Sequence, residues 1–588
     1  MLLLDLNINQ ESLDFLPFSG FTYKTLLSID NYVQPSDYDS SFQFSYNNTK
    51  INITTVRIGA IIFDLKNTLQ ECLGDPLSYY FDYDTQLLYV HFANYMKPYD
   101  RDLQTLKASV FSNRLYFDDK EQSYLPLLDS KVKIKKKADL LRYNKMSFQS
   151  QNISLNNGMG DFDSFFNDPV PSAVATLSYL DDDEVDEYGK NKNGVEPRKV
   201  YSGIVSADKI DTETFKLKLE DIRKQQSITI PRSYITSSTY ANIDDDLDGE
   251  LLKTGYGACR GIPGICVNGK IKTGNVEYVF SDYSTSISQI YVENDGYWTP
   301  VTAVSTSSGG FVLSAADARN DNGDPKPTKV DAVLYNISNP ADIIVDLNSR
   351  YLDVAYDTSE YNTIEWESEK TLLNDVGILL DKEKDIFKYI ELLQNGSVNG
   401  FVYDIEGDGR RTIRVDYANR TPLRTVQQLE ILNKSKPIER DFSEYAAEVK
   451  VRYNKDYTTN YYYSVINDDN KEEAIKKYNK VQRETLEVLL VNEAHAQAKA
   501  LLVANELKNV KPRFEIDVKE KWHFDVKLFD ILFVDFGFEG EFVGYRNGEK
   551  VFIHNREYSG IQRVQVIGLD YNLNDNIATF TLIKKEEV

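Results

Sequence analysis

Over most of its length the chain alternates apolar and polar residues with a period of two, the spacing of strands that bury one face. In ETFKLKLED (213–221), Phe215, Leu217 and Leu219 fall on one side, and Lys216, Lys218 and Glu220 on the other. RFEIDVKE (513–520) repeats the pattern with Phe514, Ile516 and Val518. GEFVGYRNGEKVFIH (540–554) reads as a hairpin, with Asn547-Gly548 supplying the positive-φ pair of a tight turn. YVENDGYWTPV (291–301) reads as a second hairpin, turning at Asn294-Asp295-Gly296.

Helical spacing is rarer. In NEAHAQAKALLVANELKN (492–509), Asn492 caps, Ala494, Ala498, Leu501 and Leu502 share the expected buried face, and Pro512 ends the run. In DKEKDIFKYIELLQNG (381–396), Ile386, Tyr389, Ile390 and Leu393 share a face and Gly396 stops the helix. KEEAIKKYNKVQRETLEVLL (471–490) begins with helical character and ends with that of a strand. Polar breaks at 181–194, 318–329 and 432–441 mark loops and boundaries, and no short internal repeat is present.

The stretch ISLNNGMGDFDSFF (153–166) is the most irregular. Met146 and Phe148 occupy even positions, Ile153 and Leu155 odd ones, so the phase flips and a bulge is expected near 149–152. Asn157-Gly158 and Gly160 then allow a turn. Asp161 and Asp163 are expected to accept its free backbone N–H groups, which makes a strand corner the preferred reading over a metal loop.

Composition narrows the class. At 588 residues, 41% hydrophobic and 12% aromatic, the chain can build several cores. A net charge of −24 argues against reading DNA but suits a wall past which DNA slides, since acidic surfaces do not hold phosphates. Three cysteines (Cys72, Cys259, Cys266) argue against a disulfide framework, and the six residues between Cys259 and Cys266 hold no partner for a zinc site. MLLLDLNINQE lacks the basic start of a signal peptide, and no apolar run reaches membrane-spanning length. The expectation is a reduced protein made in a bacterial cytoplasm and not exported by a signal sequence.

Catalytic signatures are not legible. His91, His495, His523 and His554 are far apart, and no zinc-protease, nucleophile-elbow or phosphate-loop motif occurs. Asp244-x-Asp246-x-Asp248-Gly249 matches the front of a calcium loop, but Gly255 stands where the bidentate acid belongs. DIEGDGRR (404–411) reads as a turn between GFVYD and RTIRVDY. No catalytic, cofactor-binding or metal-binding residue is assigned, no cofactor is expected, and the protein is expected not to be an enzyme.

The order of the segments carries more than any one of them. NISLNNGMGDFDSFF is followed by ATLSYL, an acidic loop, VYSGIVSADKIDTETFKLKLEDIRKQQSITIPRSYI and LLKTGYGACRGIPGICVN. This order resembles the tail hub (baseplate hub) proteins of tailed bacteriophages, prophages and gene transfer agents. YYFDYDTQLLYVHF, NPADIIVDL, IFKYIELLQNGSVNGFVYDIEGDGRRTIRV and the 492–509 helix followed by FEIDVKEKWHFDVKLFDILFVDF extend the likeness. One departure is Leu528-Phe529-Asp530, where relatives often carry Leu-Gly-Asp.

The resemblance implies a mainly β fold with a few helices, a β-rich α+β class. It is multidomain, with two tube-like β-barrel domains plus peripheral β and α/β domains. The expected division is an N-terminal peripheral β domain (1–124), a first hub barrel (125–240), a middle β domain (241–345), an α/β domain (346–443) and a second hub barrel with a helix (444–588). The implied role is a structural hub at the distal end of a tail, joining tube to tip or baseplate and lining part of the DNA exit channel. Its implied partners are two further copies in a homotrimer, distal tail and tail tube proteins, tip or fibre proteins and the tape measure protein. DNA would pass through the lumen without sequence-specific binding, and contact with the host envelope is a further implied partner. The alternative is a tail-associated receptor- or glycan-binding protein, motivated by Trp298 and by YYYSV (461–465). A wall hydrolase is a third class, and the final barrel-like strand IATFTLIKKEEV argues against an appended catalytic domain.

Overall fold

The computed structural model describes residues 213–434, 445–478, 482–508, 513–519, 521–536, 540–546, 549–554, 561–572 and 576–585. It also describes 128, 133–138, 150–156, 173–180, 182–185, 192 and 194–210, and, before these, the strands alone. The fold is mostly β with few helices, its strands gathered into several curled sheets.

The first sheet has six antiparallel strands in the order Val110–Ser112, Leu2–Asn7, Ala173–Tyr179, Arg198–Ile210, Thr214–Glu220 and Ser150–Asn156. Phe215, Leu217 and Leu219 are buried as their alternation predicts, while their neighbours are half-buried. The strand Ser150–Asn156 pairs with Thr214–Glu220 without a register shift, so the bulge expected near 149–152 is not found within 150–152. Gln151, Ile153 and Leu155 form one buried row. Met146 and Phe148, which set the upstream phase, lie outside the described residues.

The second sheet runs Arg424–Val426, Ile531–Asp535, Ile561–Asn572, Ile577–Lys584, Arg513–Val518 and Ile431–Lys434, with Lys133–Lys137 also paired to Ile561–Asn572. Its outer strands are consecutive in the chain, joined through the turn Gln428–Glu430. Five Cα steps from Val426 to Ile431 reach at most roughly 18 Å, whereas six flat strands span about 24 Å. The sheet must therefore curl until its edges approach. Phe514, Ile516 and Val518 point into the resulting core. A single apolar cluster runs from Ile153, Leu177 and Leu217 of the first sheet through Ile134 to Ile516, Val566 and Phe580 of the second.

Between them in the chain lies a middle sheet, Tyr297–Val301, Ser286–Asn294, Thr328–Leu334, Thr254–Cys266, Val276–Val279, Gly310–Leu313 and Ser305–Ser307. Its Asn294–Tyr297 hairpin turns at Asp295 and Gly296, both at positive φ, as the sequence predicts. The helices Pro340–Leu352, Thr363–Lys370 and Ile386–Gln394 pack with the hairpin Phe401–Ile405/Arg411–Val415 around a separate core. Ile386, Tyr389, Ile390 and Leu393 are all buried there.

Residues 448–507 build another small unit: strands Tyr463–Asn467, Glu448–Tyr453 and Arg483–Glu487 packed against the helix Glu493–Leu507. The predicted helix-to-strand change appears as Lys471–Tyr478 followed by Arg483–Glu487. Asn492 caps the long helix by accepting from the Ala494 N–H. Its buried face, however, is Ala496, Lys499, Ala500, Val503, Ala504 and Leu507, not the Ala494/Ala498/Leu501/Leu502 set. With alanine on every side, apolar spacing alone cannot orient this helix. The strands Gly540–Arg546 and Glu549–His554 pair as a hairpin; the Asn547-Gly548 turn lies outside the described residues.

Candidate functional site

The two large sheets meet around the 401–415 hairpin. Tyr179 of the first sheet packs tilted against Phe524 with ring centroids 5.1 Å apart, and Phe524 stacks on Tyr571 of the second at 5.6 Å. Arg198 pairs with Asp525 at 2.6 Å. The hairpin tip rests on the first sheet: the Ser202 hydroxyl donates to the Gly407 carbonyl at 2.9 Å. A Cβ at Gly407 would lie 2.3 Å from the Lys199 carbonyl oxygen, so only glycine allows this approach. A cavity of about 610 Å³ opens at the junction, lined from both sheets, the hairpin and the helix Thr363–Lys370.

Charge lines this junction in paired form. Lys136, on the strand that the early chain lends to the second sheet, donates to Asp404 at 2.5 Å. Arg223 is 2% exposed; it grips both carboxylate oxygens of Asp221 at 2.9 and 2.6 Å and donates to the Tyr403 carbonyl at 2.8 Å. Burial alone would raise the Asp404 pKa; Lys136 and Arg223 outweigh it and hold the carboxyl below its ordinary value.

Lys527 bridges Glu365 at 2.5 Å and Glu406 at 2.6 Å. Burial opposes its charge, yet the two carboxylates keep its pKa above the usual lysine value. Arg414 reaches Glu365 at 2.8 Å, Glu369 at 3.0 Å and also Asp530, while Arg420 holds the buried Glu369 through both guanidinium ends at 2.7 and 2.8 Å. Such a network fixes the relative placement of hairpin, helix and sheets. Each of these carboxylates is held by a cation, an arrangement that positions the chain segments against one another.

The other sequence candidates are dispersed. Asp248 accepts from the Ser237 N–H and hydroxyl, and Asp245 pairs with Lys270, so the 244–249 acids serve their own loop and its neighbours. The 404–411 turn joins its two strands as read; its Asp404 and Glu406 also anchor the junction, which sequence alone did not show. Asp161 and Asp163 lie outside the described residues, as does Cys72. Cys259 and Cys266 are buried and free, and burial pushes the Cys259 thiol up to about 12. His495 is half-buried on its helix, His523 is buried against Phe524, and His91 and His554 close strands. Tyr461 and Tyr463 lie over Arg260 of the middle sheet, and Trp298 lies beside Lys329, which holds Asp456 of the same loop. Among the described residues, no cluster of three metal-ligating side chains occurs and no helix is long and apolar enough to cross a membrane.

No family profile and no curated protein matches this chain. Among solved structures it is similar to the tail protein from Neisseria meningitidis MC58, at 9% identity over 78% of this chain and 92% of that one, with a TM-score of 0.35. The 43 kDa tail protein of prophage MuSo2 from Shewanella oneidensis aligns at 9% identity over 79% and 95%, TM-score 0.33. A chain of the virion of a native gene transfer agent particle aligns at 11% identity over 58% and 85%, TM-score 0.35. At these TM-scores the fold and the junction stand on their own geometry.

Proposed function

We propose that this chain is a structural component of a phage or phage-like tail: a hub at the distal end that joins the tube to the tip or baseplate and lines part of the DNA exit channel. The observation that carries this reading is the pair of curled sheets, 2–220 and 424–584 with Lys133–Lys137, held side by side through one core and one ion-pair network. Each chain thus offers two wall units in fixed relation; they draw on the proposed barrels at 125–240 and 444–588, with Leu2–Asn7 and Val110–Ser112 added to the first and Lys133–Lys137, Arg424–Val426 and Ile431–Lys434 to the second. Three copies would give six such units and could mate with a sixfold tube.

Among the described residues the strand order of the first sheet ends at Val110–Ser112 and at Ser150–Asn156, the latter bridged to Leu128 at Leu155. Closing a ring would pair or cover such edges, a physical reason for obligate association. The acidic balance suits a lumen through which DNA passes unbound. In this reading the protein is not an enzyme. Its partners are its own copies, distal tail and tube proteins, tip or fibre proteins and the tape measure protein; the 241–345 region and the 346–443 region up to its strands at 424–434 lie outside the wall.

Light scattering on the purified protein, combined with two-dimensional class averages, tests the proposal. A mass three times that of the chain and threefold averages are expected. A stable monomer that ignores purified tail tubes would refute it.

A further inference from the structure

One face of the middle sheet departs from the rest of the surface. In the strand Ser286–Asn294, Ile290 and Val292 point into the core, so Tyr291 and Glu293 point the other way. Trp298 pairs across the hairpin with Glu293, and Lys329 pairs across with Tyr291. The Lys329 ammonium lies 4.8 Å from the Trp298 ring centre and 5.5 Å from that of Tyr291. The loop 456–463 is docked beside them. Lys329 holds Asp456 at 2.7 Å, Thr458 donates to the Gly261 carbonyl at 2.7 Å, and the Tyr457 N–H donates to the Arg260 carbonyl at 3.1 Å. Arg260 then lies 4.0 Å from the Tyr463 ring centre and 5.9 Å from that of Tyr461. Tyr461 is 60% exposed and Tyr463 45%; Tyr291 and Trp298 are half-buried.

We propose that this face, built on Tyr291, Trp298, Tyr461 and Tyr463, binds uncharged pyranose units of a polysaccharide. Three features point to a sugar. The rings are already held in place by cations and by a tethered loop, so little ordering remains to be done on binding. Each ring borders a charged group: Lys329, Arg260, Glu293, or Asp331, which lies 3.4 Å from the Tyr291 hydroxyl. The core of a protein–protein interface is depleted of charge, whereas a pyranose offers apolar C–H faces rimmed by hydroxyls that need charged partners beside an aromatic plane. Finally, the two cations are outnumbered by Glu293, Asp331 and Asp456 within a chain of net charge −24, which disfavours polyanionic glycans.

The inference is independent of the hub reading: a chain that forms a threefold ring yet binds no sugar loses only this proposal. Native gels cast with hydroxyethyl cellulose, laminarin, yeast mannan or glycol chitin test it, with heparin as the charged comparison. Retardation by at least one neutral polymer is expected, with affinity falling about tenfold or more in Trp298→Ala and Tyr461→Ala. Tyr461→Phe keeps the ring and is expected to retain binding within roughly threefold. Thermal unfolding confirms that the variants are folded, and exposed Tyr461 gives an informative variant even if Trp298→Ala does not fold. No retardation by any neutral polymer, retardation by heparin alone, or retardation unchanged in Tyr461→Ala would overturn the proposal. So would images of the assembled particle in which another protein covers Trp298 and Tyr461.

Discussion

Gly407 and Phe529 show two ways in which a single backbone position sets the junction. At Gly407 the constraint is space: an added methyl would meet the carbonyl and Cα-flanking backbone of Lys199 and Val200, which cannot rotate away. Gly407→Ala is therefore expected to cost about 1–3 kcal/mol by urea unfolding. At Phe529 the constraint is conformation. It sits at φ 65° with its ring fully buried. Phe529→Gly would relieve roughly 1–2 kcal/mol of backbone strain but lose about 3–5 kcal/mol of ring burial and cavity, so a net destabilisation is expected.

Two titrating groups, both with pKa values lowered on folding, make stability rise with pH in two separate windows. Asp404 has a folded pKa below its ordinary 3.8, so its contribution is complete above that value and is lost as pH falls through the lower folded value. Asp404→Asn is expected to flatten this acid limb in urea titrations run from pH 5 downward. Lys499 is buried, and desolvation lowers it to about 8 from 10.5. Between these values the unfolded chain holds a proton that the folded chain has released. Stability attributable to Lys499 thus rises with pH across that window, and the slope is expected to vanish in Lys499→Met.

Among elements, those set by local pattern are legible and those set by distant pairing are not. Phe215, Leu217 and Leu219 declare their strand because alternation is a local property. The 386–394 helix likewise shows its face because Ile, Tyr and Leu stand against Lys and Glu. The 493–507 helix hides its face behind alanines, and nothing local marks Lys499 as buried. Lys133–Lys137 is charged at nearly every position, so it reads as solvated; only its pairing with Ile561–Asn572, far along the chain, makes Ile134 a core residue. The junction was invisible for the same reason. Its turn at 404–411 was readable, but the cations that hold Asp404 and Glu406 come from Lys136, Arg223 and Lys527, far from the turn in the chain. Ile134→Ala is expected to cost about 2–5 kcal/mol and to raise hydrogen exchange selectively across 561–572, whose partner strand it loosens. A loss spread evenly over the chain would mean that this strand does not lock the second sheet.

For the whole molecule, the question is what the wall units present to one another. The segment 424–434 closes the second sheet, and it carries Leu429 at 98% exposure and Leu432 at 56%. Val426 fills the core from the same segment, while Leu429 projects from the turn and Leu432 lies more than half exposed at the register shift between Ile431 and Asn433. Exposed leucines at a barrel seam fit the proposed ring, in which this seam would meet a neighbouring wall unit. The double variant Leu429→Asp/Leu432→Asp should then leave the unfolding midpoint of the isolated chain within about 0.5 kcal/mol of wild type, as surface changes do. It should also move the assembly from trimer to monomer by light scattering. Placing two carboxylates at an apolar contact costs each interface their desolvation, and a ring closed by three equivalent contacts fails when each is weakened. A trimer that persists in the double variant would move the contact to the outermost strands of the first sheet, where a proline within Ser150–Asn156 would be the corresponding probe.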